Sequence, residues 1–170
     1  MENPILEALE FNEENGAISF KGVRYLLLRP ETLVEFQKGL EERLGEEAQE
    51  ILYRGGFSGG RLSTEKYRET FGYGDEGILQ FMVTMGGQIG WGNFTLEEFS
   101  LEAKRLIVTV TGSPFAVAYG KSKGPVCHMI RGVMAGMGYA LFGEDVAAVE
   151  LHCLAKGDEV CRFLIEAKRV

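Results

Sequence analysis

Of the residue types that most often hold metals or act as nucleophiles, this chain has three cysteines and two histidines. Cys153, Cys161 and His152 fall within one stretch, VELHCLAKGDEVCRF at 149–163, and Cys127 and His128 are adjacent. Two apolar runs around Lys156-Gly157-Asp158 make that stretch a hairpin, which brings Cys153 and Cys161 together across the turn. Cys127 lies at the first turn of the helix expected before it, where the helix dipole favours a thiolate. One sulfur from a helix start and two from a hairpin can converge on one ion. Zinc takes three thiolates and one further N or O donor in a tetrahedron, with Zn–S about 2.3 Å. Glu150, His152 and His128 compete for the fourth place, and spacing does not choose among them. Glu150 and His152 share a face of an ideal strand. Glu150 and Cys153 are an odd offset apart and point opposite ways, unless a bulge or the strand end intervenes. His128 lies roughly 100° round the helix from Cys127. The plain alternative is three small buried core residues, a common fate of cysteine.

Other chemistry has less footing. Gly120-Lys121-Ser122 resembles the end of a phosphate-binding loop, but that pattern needs a glycine where Phe115 stands. Glu41-Glu42, Glu46-Glu47 and Glu97-Glu98 read as solvated faces. No Ser/His/Asp set is available, because both histidines sit beside cysteines, and Cys153 and Cys161 do not form a C-x-x-C redox pair.

The elements that must position these residues follow from periodicity. Ile18–Phe20 and Val23–Leu28 flank Lys21-Gly22 as a hairpin. Pro30 opens a helix whose Leu33, Phe36, Leu40 and Leu44 recur at helical steps. A second helical pattern covers about 46–71, with Gly55, Gly56, Gly59 and Gly60 in its middle. Read locally those glycines break it, since each interior glycine costs about 1 kcal/mol against alanine; the other reading is a close-packed small-residue face. A third helix spans about 75–88. From Trp91, NFTLEEFSLEA and RLIVTVTG pair as strands through Ala103-Lys104. A loop at 113–124 precedes a helix from Pro125 to about Phe142. Strands at about 146–153 and 160–167 close the chain. Residues 1–15 form an N-terminal segment, a turn or short helix, before a single domain at 16–170. The order of elements is that of an α+β fold with a largely antiparallel sheet and helices packed on it.

Length and composition suit one globular domain: 170 residues, 45% hydrophobic and 25% charged. A net charge of −7 provides no electrostatic footprint for nucleic acid or an anionic membrane. No apolar run reaches the ~18 residues of a membrane span, and the acidic N-terminus has no signal-peptide pattern, so a cytoplasmic location is expected. An odd number of cysteines argues against a disulfide framework.

The pattern Cys127…Gly132…Gly136…Glu150-x-x-Cys153…Gly157…Cys161-x-Phe163, with IGWGNF at 89–94 and GKSKGPVCHMIRGVMAG, resembles the 4-vinyl reductase domain family. The resemblance covers roughly residues 20–167 and is most specific from Cys127 onward. The family includes sensory domains of phenol- and xylene-responsive transcriptional activators, free-standing proteins, and a protein linked to bacteriochlorophyll synthesis. Its fold is similar to TRAPP-complex tethering subunits, which hold acyl chains in an apolar channel. The resemblance implies zinc on Cys127, Glu150, Cys153 and Cys161. It also implies a continuous, close-packed helix through the 55–60 glycines. With four protein ligands the zinc would be structural, with Arg162, Arg131 and Lys156 as nearby charge partners.

Sensory relatives bind small aromatic molecules in an apolar pocket. Here the resemblance puts its walls on helix 75–88, strand 105–111 and helix 126–142, with Ile78, Met82, Met85, Leu106, Val108, Met134 and Met137 as lining. In phenol sensors a histidine and a tryptophan hold the phenol hydroxyl. Both histidines here adjoin metal-ligand candidates, and Trp91 starts a strand, so a more apolar ligand is expected. The expected protein is a free-standing ligand-binding domain, a homodimer that needs a separate signalling partner. An enzymatic role, as a tetrapyrrole vinyl reductase or its accessory, has no nicotinamide or flavin fingerprint behind it. A scaffold or tethering module is the third reading.

Overall fold

The computed structural model describes residues 2–168, so the outermost domain bounds read from sequence, at Met1 and Val170, lie outside those residues. A short helix α1 (Pro4–Glu7) is capped by Asn3, whose side chain accepts from Leu6 N and donates to Gln88 O at 2.9 Å. Strands β1 (Glu10–Asn12), β2 (Ala17–Phe20) and β3 (Val23–Tyr25) form a three-stranded antiparallel sheet. The N-terminal stretch that the sequence sets apart is thus paired to β2 and packed on the rest through buried Ile5. Lys21 and Gly22 both have positive φ, 49° and 77°, the mirror-type turn whose twist suits a two-residue hairpin.

Three helices follow: α2 (Pro30–Leu44), α3 (Glu47–Phe71) and α4 (Asp75–Gln88). The α2 face is not the one its leucine spacing predicts. Phe36 and Leu44 are exposed, while Val34 and Gln37 are buried. Gln37 is satisfied there: its Nε2 donates to Glu41 Oε1 at 2.8 Å and to Val126 O at 3.0 Å. A polar residue therefore takes an inward position that periodicity gives to Phe36.

Strands β4 (Asn93–Ser100) and β5 (Arg105–Thr111) form a hairpin through Leu101–Lys104. The segment after β5, expected to be a loop, contains the short helix α5 (Pro114–Tyr119). Ser113 caps it, accepting from Ala116 N at 3.5 Å, and Pro114 takes the first helical position. Helix α6 (His128–Phe142) begins at His128 rather than Pro125, so Cys127 is its N-cap residue. Strands β6 (Val146–His152) and β7 (Cys161–Ala167) complete an antiparallel sheet of order β4-β5-β7-β6.

Helices α4 and α6 lie on this sheet and α3 packs on them. The α3–α6 seam explains the central glycines. A Cβ at Gly56 or Gly60 would overlap the backbone of Met129 or Val133, and one at Gly132 or Gly136 the backbone of Tyr53 or Phe57. Helix α3 is therefore unbroken: its glycines admit a second backbone, which outweighs their helical cost. The architecture is α+β with antiparallel sheets, as expected.

Candidate metal centre and apolar cavity

Cys127 reaches the centre from the N-cap of α6, Glu150 and Cys153 from β6 and the residue after it, and Cys161 from the first position of β7. The four ligand atoms lie within 4.8 Å of one another, and all four residues are buried. The β6–β7 register shifts between Glu150 and His152, so Leu151 is an extra residue in the ladder. The strand also ends at His152. Both features place Glu150 and Cys153 on one side despite their odd offset. They also separate Glu150, 8% exposed, from His152, whose side chain is 51% exposed and 3.7 Å from Asp158. His128 is buried but turned towards α2, 3.9 Å from Glu41 Oε1. Neither histidine joins the cluster.

The donor set fits a cation. Cys127 Sγ and Cys161 Sγ are 3.6 Å apart, too far for a disulfide and close to the ~3.8 Å edge of a tetrahedron with 2.3 Å bonds. Glu150 Oε2 accepts from Cys127 N at 2.9 Å, while Oε1 is buried without a partner. An orphaned carboxylate oxygen beside three sulfurs is costly unless something positive meets it. The protons report the same crowding. Hydrogen bonds from Cys127 and Cys161 hold the Cys153 thiol well below its usual range. Cys127, donating to Cys153 and Cys161 and buried, is held well above it. Cys161 is lowered by Cys127, but its contact with Cys153 and its burial push it up overall, to about 12. Burial raises Glu150 to about 8. Metal-free, the cluster keeps one negative charge, on Cys153, and retains protons that a cation would displace.

The surroundings differ from the expected charge partners. Arg162 pairs with Glu97 at 2.7 Å, Arg131 sits over the Tyr53 ring at 4.9 Å, and Lys156 lies 3.5 Å from Asp158. The groups that support the ligands are Asp158, Ser113 and a backbone amide. Asp158 Oδ2 accepts from Cys153 N at 2.7 Å, and Leu154 N donates to Cys161 Sγ at 3.4 Å. Ser113 Oγ is 3.6 Å from Cys127 Sγ. Asp158 stood in the turn and Ser113 in an expected loop, and no spacing rule ties either to a cysteine.

A separate cavity of about 200 Å³ opens between α3, α4 and α6. Four of the seven residues expected to line a ligand pocket lie in its wall: Met82, Met85, Met134 and Met137. Ile78, Leu106 and Val108 do not; each is fully buried in the core. The remaining wall includes Trp91 and Phe94, backbone exposed by Gly59, Gly60 and Gly86, and Tyr25 from β3. Trp91 precedes β4 by two residues, with its ring 5.3 Å from that of Phe115. The lining from β3 and α3 was not anticipated, because Tyr25 is distant in sequence and the glycines carry no side-chain signal.

Comparison with known proteins agrees with this arrangement. The model of the family described as activator of aromatic catabolism matches residues 5–102, and that of the 4-vinyl reductase domain matches residues 106–167. The phenol regulator MopR of Acinetobacter guillouiae is 26% identical over 94% of this chain, which spans only 30% of MopR's length. The phenol-responsive sensory domain of the transcription activator PoxR, solved with phenol, superposes with a TM-score of 0.82 at 25% identity, covering 96% of this chain and 87% of that one. Two further structures share the fold. A trafficking protein particle complex subunit 3 from Naegleria fowleri has a TM-score of 0.59 at 12% identity, covering 82% and 95% of the two chains. A vinyl-4-reductase family protein from Methanocaldococcus jannaschii has 0.54 at 16%, covering 87% and 100%. The chain belongs to the activator of aromatic catabolism family, with a 4-vinyl reductase domain in its second half.

Proposed function

We propose that this chain is a sensory domain that binds a small apolar or aromatic molecule in the α3/α4/α6 cavity and carries a structural zinc ion. The observation that carries the ligand reading is the cavity itself, lined by methionines and aromatic rings in a relative of phenol-responsive sensors. Methionine linings are adaptable, and a volume of about 200 Å³ suits a one-ring ligand, since a ~150 Å³ cavity takes benzene. The seven-residue lining inferred from resemblance is narrowed in this proposal to Met82, Met85, Met134 and Met137.

Zinc is supported by ligand type. Three thiolates and a carboxylate in tetrahedral spacing suit it better than the oxygen-seeking divalent ions. Four protein ligands leave no open position for water, so the ion would tie the start of α6 to the β6–β7 hairpin rather than perform chemistry. A homodimer is part of the same reading. Leu26, Leu27 and Leu28 run exposed after β3, at 74%, 78% and 55%, an apolar edge that a second copy would cover. Any output would pass to another protein segment or partner.

Native mass spectrometry of protein purified without added metal, with elemental analysis, tests this. One zinc per chain and saturable uptake of one-ring aromatics are expected, with dimer mass under native conditions. Intact free thiols without metal would overturn the zinc assignment, and absence of uptake by ligand-free protein would overturn the sensory one.

A further inference from the structure

We propose that the Tyr25 hydroxyl, oriented by Tyr67, is the polar anchor of the cavity and selects one-ring ligands that carry a hydrogen-bond acceptor. This rests on the cavity being the ligand site. Tyr67 lies near the C-terminal end of α3, has no exposed surface and packs in a cluster with Phe20, Phe71 and Phe81. Its hydroxyl is hydrogen-bonded to that of Tyr25, its one hydrogen-bond partner among the described residues. Two hydroxyls that share one hydrogen bond leave one proton over. If Tyr25 donated, the leftover proton would sit on Tyr67, buried among aromatic rings with nothing to accept it, a cost on the order of 1–3 kcal/mol. The reverse direction has no such penalty: Tyr67 donates, and the Tyr25 proton is free on a residue that lines the cavity. Burial, with donation to Tyr25, raises the Tyr67 hydroxyl far above the usual tyrosine range, which keeps it a donor.

The cavity wall is otherwise mostly apolar. Ser63 and the Trp91 indole are the other lining side chains with hydrogen-bonding N or O atoms, and both, like Tyr25, can donate. Tyr25 differs in being held from behind, with its acceptor side occupied by Tyr67, so that it presents a proton and not a lone pair. The fitting ligand is a single aromatic ring with a carbonyl, ether or phenolic oxygen that accepts. A plain hydrocarbon of the same shape would forfeit that bond.

The test is a matched pair of probes, acetophenone and ethylbenzene, titrated by calorimetry into ligand-free, metal-loaded protein. Wild type is expected to bind acetophenone about five- to tenfold more tightly, the share of one hydrogen bond. In Tyr25→Phe the ratio should fall to about one, with ethylbenzene binding retained as the sign that the cavity is intact. Ser63→Ala should keep the wild-type ratio. An unchanged ratio in Tyr25→Phe, or a ratio lost in Ser63→Ala instead, would overturn the anchor and leave the cavity as ligand site. Failure of both probes to bind wild type would overturn the cavity reading and the anchor with it. Should Tyr25→Phe not fold, ¹³Cζ-tyrosine labelling of wild type gives the answer: the Tyr25 resonance should move with acetophenone and stay with ethylbenzene, and equal shifts would refute the anchor.

Discussion

Asp158 makes the most specific prediction at the level of single residues. Its carboxylate receives the Cys153 amide at 2.7 Å and belongs to no ligand set. Asp158→Asn should weaken metal binding about 10- to 100-fold, the usual effect of losing a group that orients a ligand, as measured by chelator competition. Cys153→Ala should abolish stoichiometric metal. Proton release provides a further signature. Cys127 and Cys161 keep their protons at neutral pH without metal, and Glu150 gains one as pH falls through about 8. Metal requires all of them gone, so acidification opposes binding. Apparent affinity should therefore fall by about two powers of ten per pH unit above pH 8 and about three below it, read from competition titrations across that range. The three cysteines were legible as ligands from type and crowding alone. Glu150 was not separable from His152 by spacing, because the extra Leu151 that divides their faces is a property of the ladder and leaves no mark in the sequence.

Among the elements, α3 offers a paired test within one helix. Gly55 and Gly56 are neighbours with opposite surroundings: a Cβ at Gly55 meets nothing within 4 Å, whereas at Gly56 it meets the Met129 backbone. Gly55→Ala should stabilise by about 0.5–1 kcal/mol, from helix propensity alone. Gly56→Ala should destabilise by about 1–3 kcal/mol or more, because the clash is with backbone that cannot rotate away. Urea denaturation of both variants decides it, and equal effects would mean that the seam is looser than described. Helix positions, strand pairing and the β2–β3 turn were readable because periodicity and turn chemistry are local. The buried face of α2 was not: Gln37 goes inward because Val126 O needs a donor, a partner far along the chain. The same holds for α5, whose length is too short to show a period.

Across the whole molecule, the cavity and the metal centre have different owners. Cys127, Glu150, Cys153 and Cys161 all lie in the part that matches the 4-vinyl reductase domain, residues 106–167. The cavity draws Tyr25, Met82, Met85, Trp91 and Phe94 from the first part, and Met134 and Met137 from the second. Metal removal should therefore lower the melting temperature without needing a ligand present. Acetophenone at about 100 times its dissociation constant should add about 2.7 kcal/mol to metal-loaded protein, read as a melting shift. The glycine seam carries this division further. Gly56 and Gly60 stand on one side of the 102/103 boundary, and Gly132 and Gly136 on the other. The proposed zinc ion is then a rivet within one piece, and a cavity ligand is mortar between two. Split into 1–102 and 103–170 and produced together, the pieces should re-form a complex that acetophenone tightens. Ethylbenzene should tighten it less, and zinc should act only by folding the second piece.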